Sequence, residues 1–416
     1  MGGIGGSGLS EGPRQRVTGM AAETPARLPV SVANPPVHPP PLSLYIHIPW
    51  CIRKCPYCDF NSHAVRGELD EAVYIDALLA DLAYDLPLVA SRPLQSIFIG
   101  GGTPSLFSPQ SIGRLLEGVK AQIAWNEGIE ITLEANPGTL EAANFAGYRE
   151  AGVNRLSIGV QSFDAACLRL LGRVHGPEDA VRAMQQAKRA GYERINMDLM
   201  FGLPGQNESS ARADMTTALQ LDPGHISYYQ LTLEPNTAFH HAPPALPEEE
   251  LIWWIQQQAM AQLSGAGYQQ YEISAHASKD HRCRHNLNYW TFGDYLGIGA
   301  GAHGKLTDAC GGVQRMWKWR QPGEYIEKVA SGHPWQGQRS LQEQDLRLEY
   351  MMNLLRLRDG FDKALFTQRT GLLPSSLEPG LELATAKGLL EVTETQISTT
   401  ALGRRYLNDL LGLFLN

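Results

Sequence analysis

The sequence predicts an α/β fold built on a parallel sheet, followed by a smaller and mainly α-helical domain. Six short apolar segments between residues 42 and 231 alternate with segments of helical periodicity. Neighbouring parallel strands need crossover helices, so six consecutive β-α units indicate a parallel sheet. Beyond Ser340 the alternation ends and helical segments dominate. An open doubly wound sheet and a full or partial barrel both satisfy this pattern.

Each unit pairs an apolar strand with an amphipathic helix. The stripe of Ile75, Leu78 and Leu82 illustrates the spacing of a helix that packs on a sheet. The predicted strands are Leu42–Ile48, Gln95–Ile99, Ile129–Glu134, Arg155–Val160, Arg194–Leu199 and Ile226–Leu231. The predicted helices are Glu71–Val89, Pro109–Ala124, Leu140–Ala151, Ala165–Leu171, Pro177–Ala190 and Glu208–Leu221.

The C-terminal segment combines helices with one short hairpin and resembles a winged-helix domain. The predicted helices are Glu343–Leu357, Lys363–Thr370, Glu378–Lys387 and Arg405–Leu413, with the hairpin at 389–399. A winged helix suggests DNA, but this segment is not basic. We therefore expect a lid or a surface for docking a partner.

Composition limits the classes of partner and compartment. The chain has 416 residues and a formal net charge of −8. Nucleic acid is therefore not expected as a partner, because phosphate binding needs a basic face. No stretch approaches the roughly 18 apolar residues of a membrane span. Residues 1–40 are rich in Gly and Pro without the apolar core of a signal peptide, so we expect a flexible segment and a cytoplasmic protein. Met20 is a second candidate for the start of the chain.

The unusual polar and glycine-rich clusters follow the predicted strands. The cysteines follow the first strand, GGGTP at 100–104 the second and EANP at 134–137 the third. GVQS at 159–162 ends the fourth strand, and FGLPG at 201–205 follows the fifth. Ligands bind at the carboxyl ends of parallel strands in both candidate folds. The sequence thus predicts one composite site at this edge.

Three cysteines, Cys51, Cys55 and Cys58, lie within eight residues. Soft thiolates select iron–sulfur clusters, Zn or Cu(I). A structural Zn site needs a fourth ligand, for which the loop offers only His63. Three cysteines on a tight loop can instead hold three irons of a cubane and leave the fourth iron open.

This C-x3-C-x2-C loop after a first strand resembles the radical S-adenosylmethionine (SAM) superfamily. The resemblance implies a partial (β/α)6 barrel and a [4Fe–4S] cluster whose open iron chelates SAM. It also implies that an electron from the cluster splits a C–S bond of SAM to give a 5′-deoxyadenosyl radical. On this basis we expect a core over residues 41–310, a link over 311–340 and a C-terminal domain over 341–416.

From Leu42 to about Lys305 the chain resembles the oxygen-independent coproporphyrinogen oxidases and their heme-chaperone relatives of the HemW type. The matching stretches are YIHIP at 45–49, GGGTPS at 100–105, EANP at 134–137, GVQSF at 159–163, LGRVH at 171–175 and NMDLMFGLPG at 196–205. The resemblance implies that the SAM site is lined by Tyr45, Tyr57, Gly101, Gly102, Thr103, Glu134, Gln161, Arg173 and Asp198.

Two features of the sequence favour a heme chaperone over a coproporphyrinogen oxidase. Oxidases of this family have a fourth cysteine two positions after the third, where this chain has Phe60. The motif HNLNYW at 285–290 resembles the heme-binding signature H-N-x-x-Y-W of the chaperone branch. Imidazole is a common axial ligand of heme, and adjacent aromatic rings give the macrocycle an apolar wall. His285 is the expected heme ligand, with Cys283 as a neighbouring thiol.

The favoured hypothesis is a heme chaperone that holds a cluster, SAM and heme and transfers heme to acceptor proteins. The alternatives are radical SAM decarboxylation of coproporphyrinogen III and a scaffold with only a structural cluster. The sequence leaves open whether SAM is cleaved, whether heme is bound covalently and whether the chain forms a homodimer. It also leaves open whether the acceptors include membrane-bound proteins that the chain contacts peripherally.

Overall fold

The computed structural model describes residues 39–415. The predictions of a flexible segment over 1–40 and of a start at Met20 concern residues outside this range, apart from positions 39 and 40. None of the helices in the described range is long and apolar enough to cross a bilayer.

Twelve strands form the main sheet, and five more form two small sheets. In chain order the strands are β1 (Leu42–Ile48), β2 (Trp50–Cys51), β3 (His63–Ala64), β4 (Leu94–Gly101), β5 (Trp125–Ala135), β6 (Arg155–Gln161), β7 (Arg194–Phe201), β8 (Gly224–Gln230), β9 (Gln269–Gln270), β10 (Ala275–Ala277), β11 (Asp294–Ile298), β12 (His303–Thr307), β13 (Val313–Lys318), β14 (Trp335–Ser340), β15 (Phe361–Asp362), β16 (Leu390–Val392) and β17 (Gln396–Thr399).

Sixteen α-helices connect these strands within the described range. They are α1 (Glu71–Asp85), α2 (Pro109–Gln122), α3 (Thr139–Ala143), α4 (Phe145–Glu150), α5 (Ala165–Leu170), α6 (Pro177–Arg189), α7 (Glu208–Leu221), α8 (Ala238–His241), α9 (Glu249–Gly265), α10 (Arg284–Trp290), α11 (Pro322–Ala330), α12 (Glu343–Leu354), α13 (Lys363–Thr370), α14 (Glu378–Ala386), α15 (Ala401–Arg405) and α16 (Leu407–Gly412).

The main sheet has the order β14-β13-β12-β11-β1-β4-β5-β6-β7-β8-β10-β9 and is not closed. From β1 through β8 its large strands follow one another in chain order, and each pairs in parallel with the next. This arrangement confirms the predicted six β-α units and the partial barrel. Strand β1 reads as a near-continuous apolar run because it is buried on both faces, as is usual in parallel sheets.

Asparagine and aspartate side chains begin several of the crossover helices. Asp70 accepts a hydrogen bond from Val73 N at the start of α1, and Asn207 accepts one from Ser210 N at the start of α7. Such side chains satisfy the free N–H groups of a first helical turn. The predicted helix 140–151 is wrong as one element, because it divides at Asn144 into α3 and α4.

Residues 311–340, expected as a link, contain β13, α11 and β14. Strand β13 pairs with β12 and β14, so this segment extends the main sheet in antiparallel fashion. The segment Trp335–Ser340 is mostly polar and exposed, which explains why apolar periodicity did not reveal it. The domain limits themselves stay a prediction.

The C-terminal part has its own apolar core around Tyr350, Phe366 and Leu410. Its helices α12–α16 surround a small sheet with the order β15-β17-β16. The predicted hairpin is present, with β16 and β17 antiparallel. Trp290 of α10 packs against this core, so the helix with the HNLNYW motif contacts the C-terminal part directly.

Candidate functional site

The cysteine loop opens at the carboxyl end of β1. Its start and end are tied together by the short parallel pair β2 and β3. The thiols of Cys51, Cys55 and Cys58 are half-buried and free of disulfides. They line a cavity of about 150 Å³ together with most of the other residues predicted for the site: Tyr57, Gly101, Gly102, Thr103, Glu134, Gln161, Arg173 and Asp198. Fragments from β1 to β8 are thus brought together at one sheet edge.

The thiols have polar neighbours, but their burial works against the thiolate form in the metal-free protein. Arg173 Nη1 lies 3.7 Å from Cys55 Sγ, and Ser62 Oγ lies 3.7 Å from Cys58 Sγ. Burial raises the pKa of Cys51 and Cys58. Among residues 39–415 no three His, Cys, Asp or Glu side chains are grouped to hold one metal ion. A cubane needs a different arrangement, because each thiolate binds its own iron.

The glycine run forms a close backbone crossing beside the cysteine loop. Gly101 N donates a hydrogen bond to Glu134 Oε2 at 3.0 Å. A Cβ at Gly102 would lie 2.5 Å from Trp50 O. Gly101 has a φ of +117°, and a Cβ there would lie 2.5 Å from the His47 ring. Side chains are therefore excluded at both positions, because the His47 ring and the backbone of Trp50 occupy that space.

Two carboxylates, Glu134 and Asp198, line this cavity in different surroundings. Burial raises the pKa of Glu134 to about 8, with a further rise from Asp198 and an opposing effect of Gly101 N–H. Burial also raises the pKa of Asp198. Asn196 Nδ2 and Ser157 Oγ donate to the two oxygens of Asp198, at 2.8 and 3.2 Å. Asp198 is thus held in place as an acceptor, and Glu134 is held by the backbone N–H of Gly101.

Gln161 and Arg173 complete the far wall. Gln161 has a φ of +71° at an irregularity between β6 and β7, a conformation that non-glycine residues rarely adopt. Such strain is common where a side chain must be aimed at a ligand. Arg173 Nη2 donates to Asn136 Oδ1 at 2.6 Å and to Gly159 O at 2.8 Å. Arg173 Nε is buried without a hydrogen-bond partner in the described range.

Tyr229 also lines this cavity, although it was not among the predicted site residues. Its hydroxyl donates to Gln161 Oε1 at 2.7 Å. Tyr229 lies at the carboxyl end of the sixth parallel strand, β8, so the strand-edge rule alone would have found it.

Tyr45 lies in a neighbouring, larger cavity of about 1240 Å³ rather than with the other predicted residues. Its hydroxyl is 2.9 Å from His47 Nδ1, and its ring stacks on Phe98. The two cavities share Phe60, Gly101 and Glu134. Tyr45 therefore lines the larger cavity only, and Gly101 and Glu134 lie between it and the smaller cavity.

His285 lines the larger cavity near the start of α10. Its Nδ1 is 3.1 Å from Ser96 Oγ, and its ring centroid is 5.1 Å from that of Phe98. Burial lowers the pKa of His285 to about 3, so the imidazole is neutral at physiological pH. Aromatic and histidine side chains form much of the remaining lining: Tyr289, Trp290, Tyr295, His303 and Trp317.

Cys283 does not reach this cavity. Its buried thiol lies 3.6 Å from Glu130 Oε1, and the same oxygen accepts from Arg284 N at 2.8 Å. Cys283 therefore belongs to the packing under α10. His303 and Trp317 line the larger cavity, although antiparallel strands outside the predicted β-α units carry them.

Comparisons with known proteins agree with this geometry. The model of the Radical SAM superfamily matches residues 45–218, and that of the HemN C-terminal domain matches residues 341–406. The structure named coproporphyrinogen III oxidase (HemN) from Escherichia coli is similar with a TM-score of 0.78. It has 26% identity, and the alignment covers 90% of each chain.

Two curated relatives are more similar in sequence. The heme chaperone HemW of Escherichia coli strain K12 is 48% identical over 90% of this chain and 98% of its own length. The heme chaperone HemW of Haemophilus influenzae is 47% identical, and the alignment again covers 90% of this chain and 98% of the relative. Because these likenesses span almost the entire length of both relatives, the chain belongs to the HemW family within the radical SAM superfamily.

Proposed function

We propose that this chain is a heme chaperone that binds heme in the larger cavity and transfers it to acceptor proteins. One observation carries the proposal. A neutral histidine, His285, lines a cavity of about 1240 Å³ with aromatic walls, and that cavity adjoins the cysteine- and glycine-lined pocket. Its volume lies above the roughly 300–1,000 Å³ of most small-molecule sites, so the cavity has room for a tetrapyrrole. The HemW relatives carry the name heme chaperone.

Membership of the radical SAM superfamily implies a [4Fe–4S] cluster and SAM. The donor set fits these groups, because three half-buried thiols lie on one loop and the same cavity is lined by Arg173, whose buried Nε is unpaired in the described range. We assign Cys51, Cys55 and Cys58 as the iron ligands. When bound, a reduced cluster supplies the electron that cleaves a C–S bond of SAM.

The remaining side chains of this pocket bind and orient SAM in the proposal. Glu134 and Asp198 accept from amino or hydroxyl groups, and Gln161 offers both a donor and an acceptor. The unpaired Nε of Arg173 is a donor for a carboxylate. Gly101, Gly102 and Thr103 provide the backbone cradle, Tyr57 a side wall, and Tyr45 supports the pocket from the neighbouring cavity.

His285 is the proposed axial ligand of heme. Contact with Ser96 occupies Nδ1 and leaves Nε2 as the nitrogen for the iron. Tyr289, Trp290 and Trp317 supply flat apolar contacts, which exclude water from the ligand. Phe60 is exposed and lines both cavities, so it stands between the two proposed ligands.

Oxidation of coproporphyrinogen is the less favoured function. The HemN structure shares the fold, but at 26% identity against 48% for a HemW protein. Phe60 occupies the position of the fourth oxidase cysteine and cannot ligate iron or carry an electron as a thiol does. We further propose a cytoplasmic location, with peripheral contact to membrane-bound acceptors and homodimer formation as part of heme transfer.

The test is an anaerobic heme titration of protein reconstituted with iron and sulfide. We expect a shifted Soret band with wild type and a much weaker one with His285→Ala. His240→Ala is the matched control, because His240 is exposed and lies outside both cavities. Absence of a heme complex in the wild type, or equal binding by His285→Ala, would refute the proposal. Passage of bound heme to an apo-heme protein then tests transfer separately.

A further inference from the structure

A cluster of arginines lies between the main sheet and the C-terminal part, away from both cavities described above. Arg356, Arg358, Arg404 and Arg405 line a cavity of about 310 Å³. Arg358 also lines an adjoining cavity of about 410 Å³, together with Arg282. The chain as a whole has a net charge of −8, so this local excess of positive charge is unusual.

The carboxylates in these cavities are already engaged. Glu272 Oε2 lies 3.2 Å from Arg356 Nη2. Asp359 Oδ2 lies 3.0 Å from Arg282 Nη1. Within residues 39–415 these are the acidic side chains that line the two cavities. They leave the charges of the other three arginines without a neutralising neighbour in the cavity wall.

Arg358, Arg404 and Arg405 show this lack of neutralisation individually. Arg358 is exposed at the mouth of the cavities, and its guanidinium makes no hydrogen bond or ion pair with any residue of the described range. Arg404 donates to Thr399 O, and burial and the charge of Arg358 lower the pKa of Arg404 against an opposing effect of Glu391. Arg405 lies over the rings of Trp253 and Tyr406, at 4.7 and 5.5 Å from their centroids. These ring contacts hold the guanidinium without removing its charge.

A buried histidine lines the adjoining cavity. His276 is only 3% exposed and lines the adjoining cavity beside Arg358. Both of its ring nitrogens lack a hydrogen-bond partner in the described range. Burying an imidazole without partners costs free energy, so the unpartnered ring of His276 points to a ligand that accepts from its N–H.

We propose that Arg358, Arg404, Arg405 and His276 form a binding site for a small molecule that carries a phosphate group. A single carboxylate brings one charge and two oxygens, whereas a phosphate monoester brings nearly two charges and three acceptor oxygens. Guanidinium groups bind such oxygens in bidentate fashion. The two adjoining cavities have the size of a small-molecule site rather than of a protein interface.

Isothermal titration of the cluster-loaded protein with inorganic pyrophosphate tests the site. Succinate, which carries two carboxylates, serves as the comparison ligand. We expect pyrophosphate to bind the wild type with a Kd below about 1 mM, and succinate at least about tenfold more weakly. No binding of pyrophosphate at that concentration, or equal binding of succinate, would overturn the proposal.

The variants Arg358→Gln and Arg404→Gln test whether pyrophosphate binds at this site. We expect each to weaken pyrophosphate binding by about tenfold or more, because each removes a charge-assisted hydrogen bond. Arg114→Gln is the control, because Arg114 is exposed on α2 and pairs with Asp76. Since Arg358 has no partner to lose, its variant should keep the thermal midpoint of the wild type. Retained binding in the folded Arg358→Gln protein would exclude this site.

Discussion

His285 Nδ1 and Ser96 Oγ lie 3.1 Å apart on two different elements, helix α10 and strand β4. Ser96 Oγ in turn lies 2.8 Å from Ser43 Oγ, which accepts from Asn288 Nδ2 at 2.9 Å. This chain of contacts connects two positions of the HNLNYW motif through the sheet. It fixes the orientation of the imidazole before any ligand binds, and a ligating histidine depends on such support.

Ser96→Ala tests this support. We expect heme affinity to fall by about tenfold, the lower end of the effect of losing an outer-shell partner of a ligating histidine. The heme titration described above measures it. Ser331→Ala, at an exposed position, should leave the affinity unchanged. An unchanged affinity in Ser96→Ala would mean that packing alone orients His285.

The pH dependence of heme binding follows from the burial of His285. Because burial lowers its pKa to about 3, the imidazole stays neutral from pH 7.5 down to pH 5.5. For an ordinary histidine with a pKa of about 6.5, only about one tenth of the imidazole groups would be neutral at pH 5.5. We expect heme affinity to change by less than about threefold across this range. A tenfold loss that follows a single pKa near 6.5 would contradict the assignment of His285.

Gly101→Ala should abolish the proposed SAM pocket. The new Cβ would lie 2.5 Å from the His47 ring at a φ of +117°, and the shift would disturb the Gly101 N–H contact to Glu134. Equilibrium binding of SAM to the reconstituted protein measures the loss. Gly128→Ala is the matched control, because Gly128 also has a positive φ of +70° but open space around its Cα. If both variants bind SAM equally, the close crossing at Gly101 has no role in binding.

Asp294→Asn should destabilise the fold. Asp294 Oδ1 lies 2.8 Å from Lys305 Nζ and Oδ2 lies 2.7 Å from Arg92 Nη1, with the carboxylate fully buried. Removing its charge leaves Lys305 buried and unpaired, which costs about 3–5 kcal/mol. We expect a clear fall in the thermal midpoint. Asp76→Asn, which breaks an exposed pair with Arg114, should cost less than about 1 kcal/mol.

The same carboxylate predicts a pH effect on stability. Burial by itself raises the pKa of Asp294, but Lys305 and Arg92 lower it below its ordinary value. A depressed pKa stabilises the folded state above the ordinary pKa of about 3.9, and the contribution is lost as the pH falls through the folded value. The difference in thermal midpoint between wild type and Asp294→Asn should therefore shrink when the pH falls from 6 to 3. A constant difference would show that the charge of Asp294 does not cause the loss of stability.

Much of the fold was predictable because local patterns agreed with the tertiary structure. Leu42–Ile48 and Glu208–Leu221 have the predicted limits, the first through its continuous apolar run and the second through its cap at Asn207. The antiparallel strands β12, β13 and β14 of the main sheet were not predicted. Consecutive strands of this group pair with each other, but polar segments such as Trp335–Ser340 carry no apolar alternation that would reveal them.

The residues of the candidate site also fall into a group that the sequence predicts and a group that it does not. Its thiols, glycines and carboxylates were predictable because they follow successive strands of one parallel sheet. The placement of Tyr45 beside a second cavity depends on the contact with His47, which no spacing reveals. His303 and Trp317 reach that cavity only through the antiparallel extension of the sheet.

The chain order of the parallel strands has a consequence for synthesis on the ribosome. All residues that line the cysteine pocket precede position 230, whereas the lining of the larger cavity extends to Gln336. At about 5–20 residues per second, the first set emerges roughly 5–20 s before the second is complete. In the nascent chain, the proposed iron ligands can therefore bind a cluster before the last residues that line the proposed heme cavity have been synthesised.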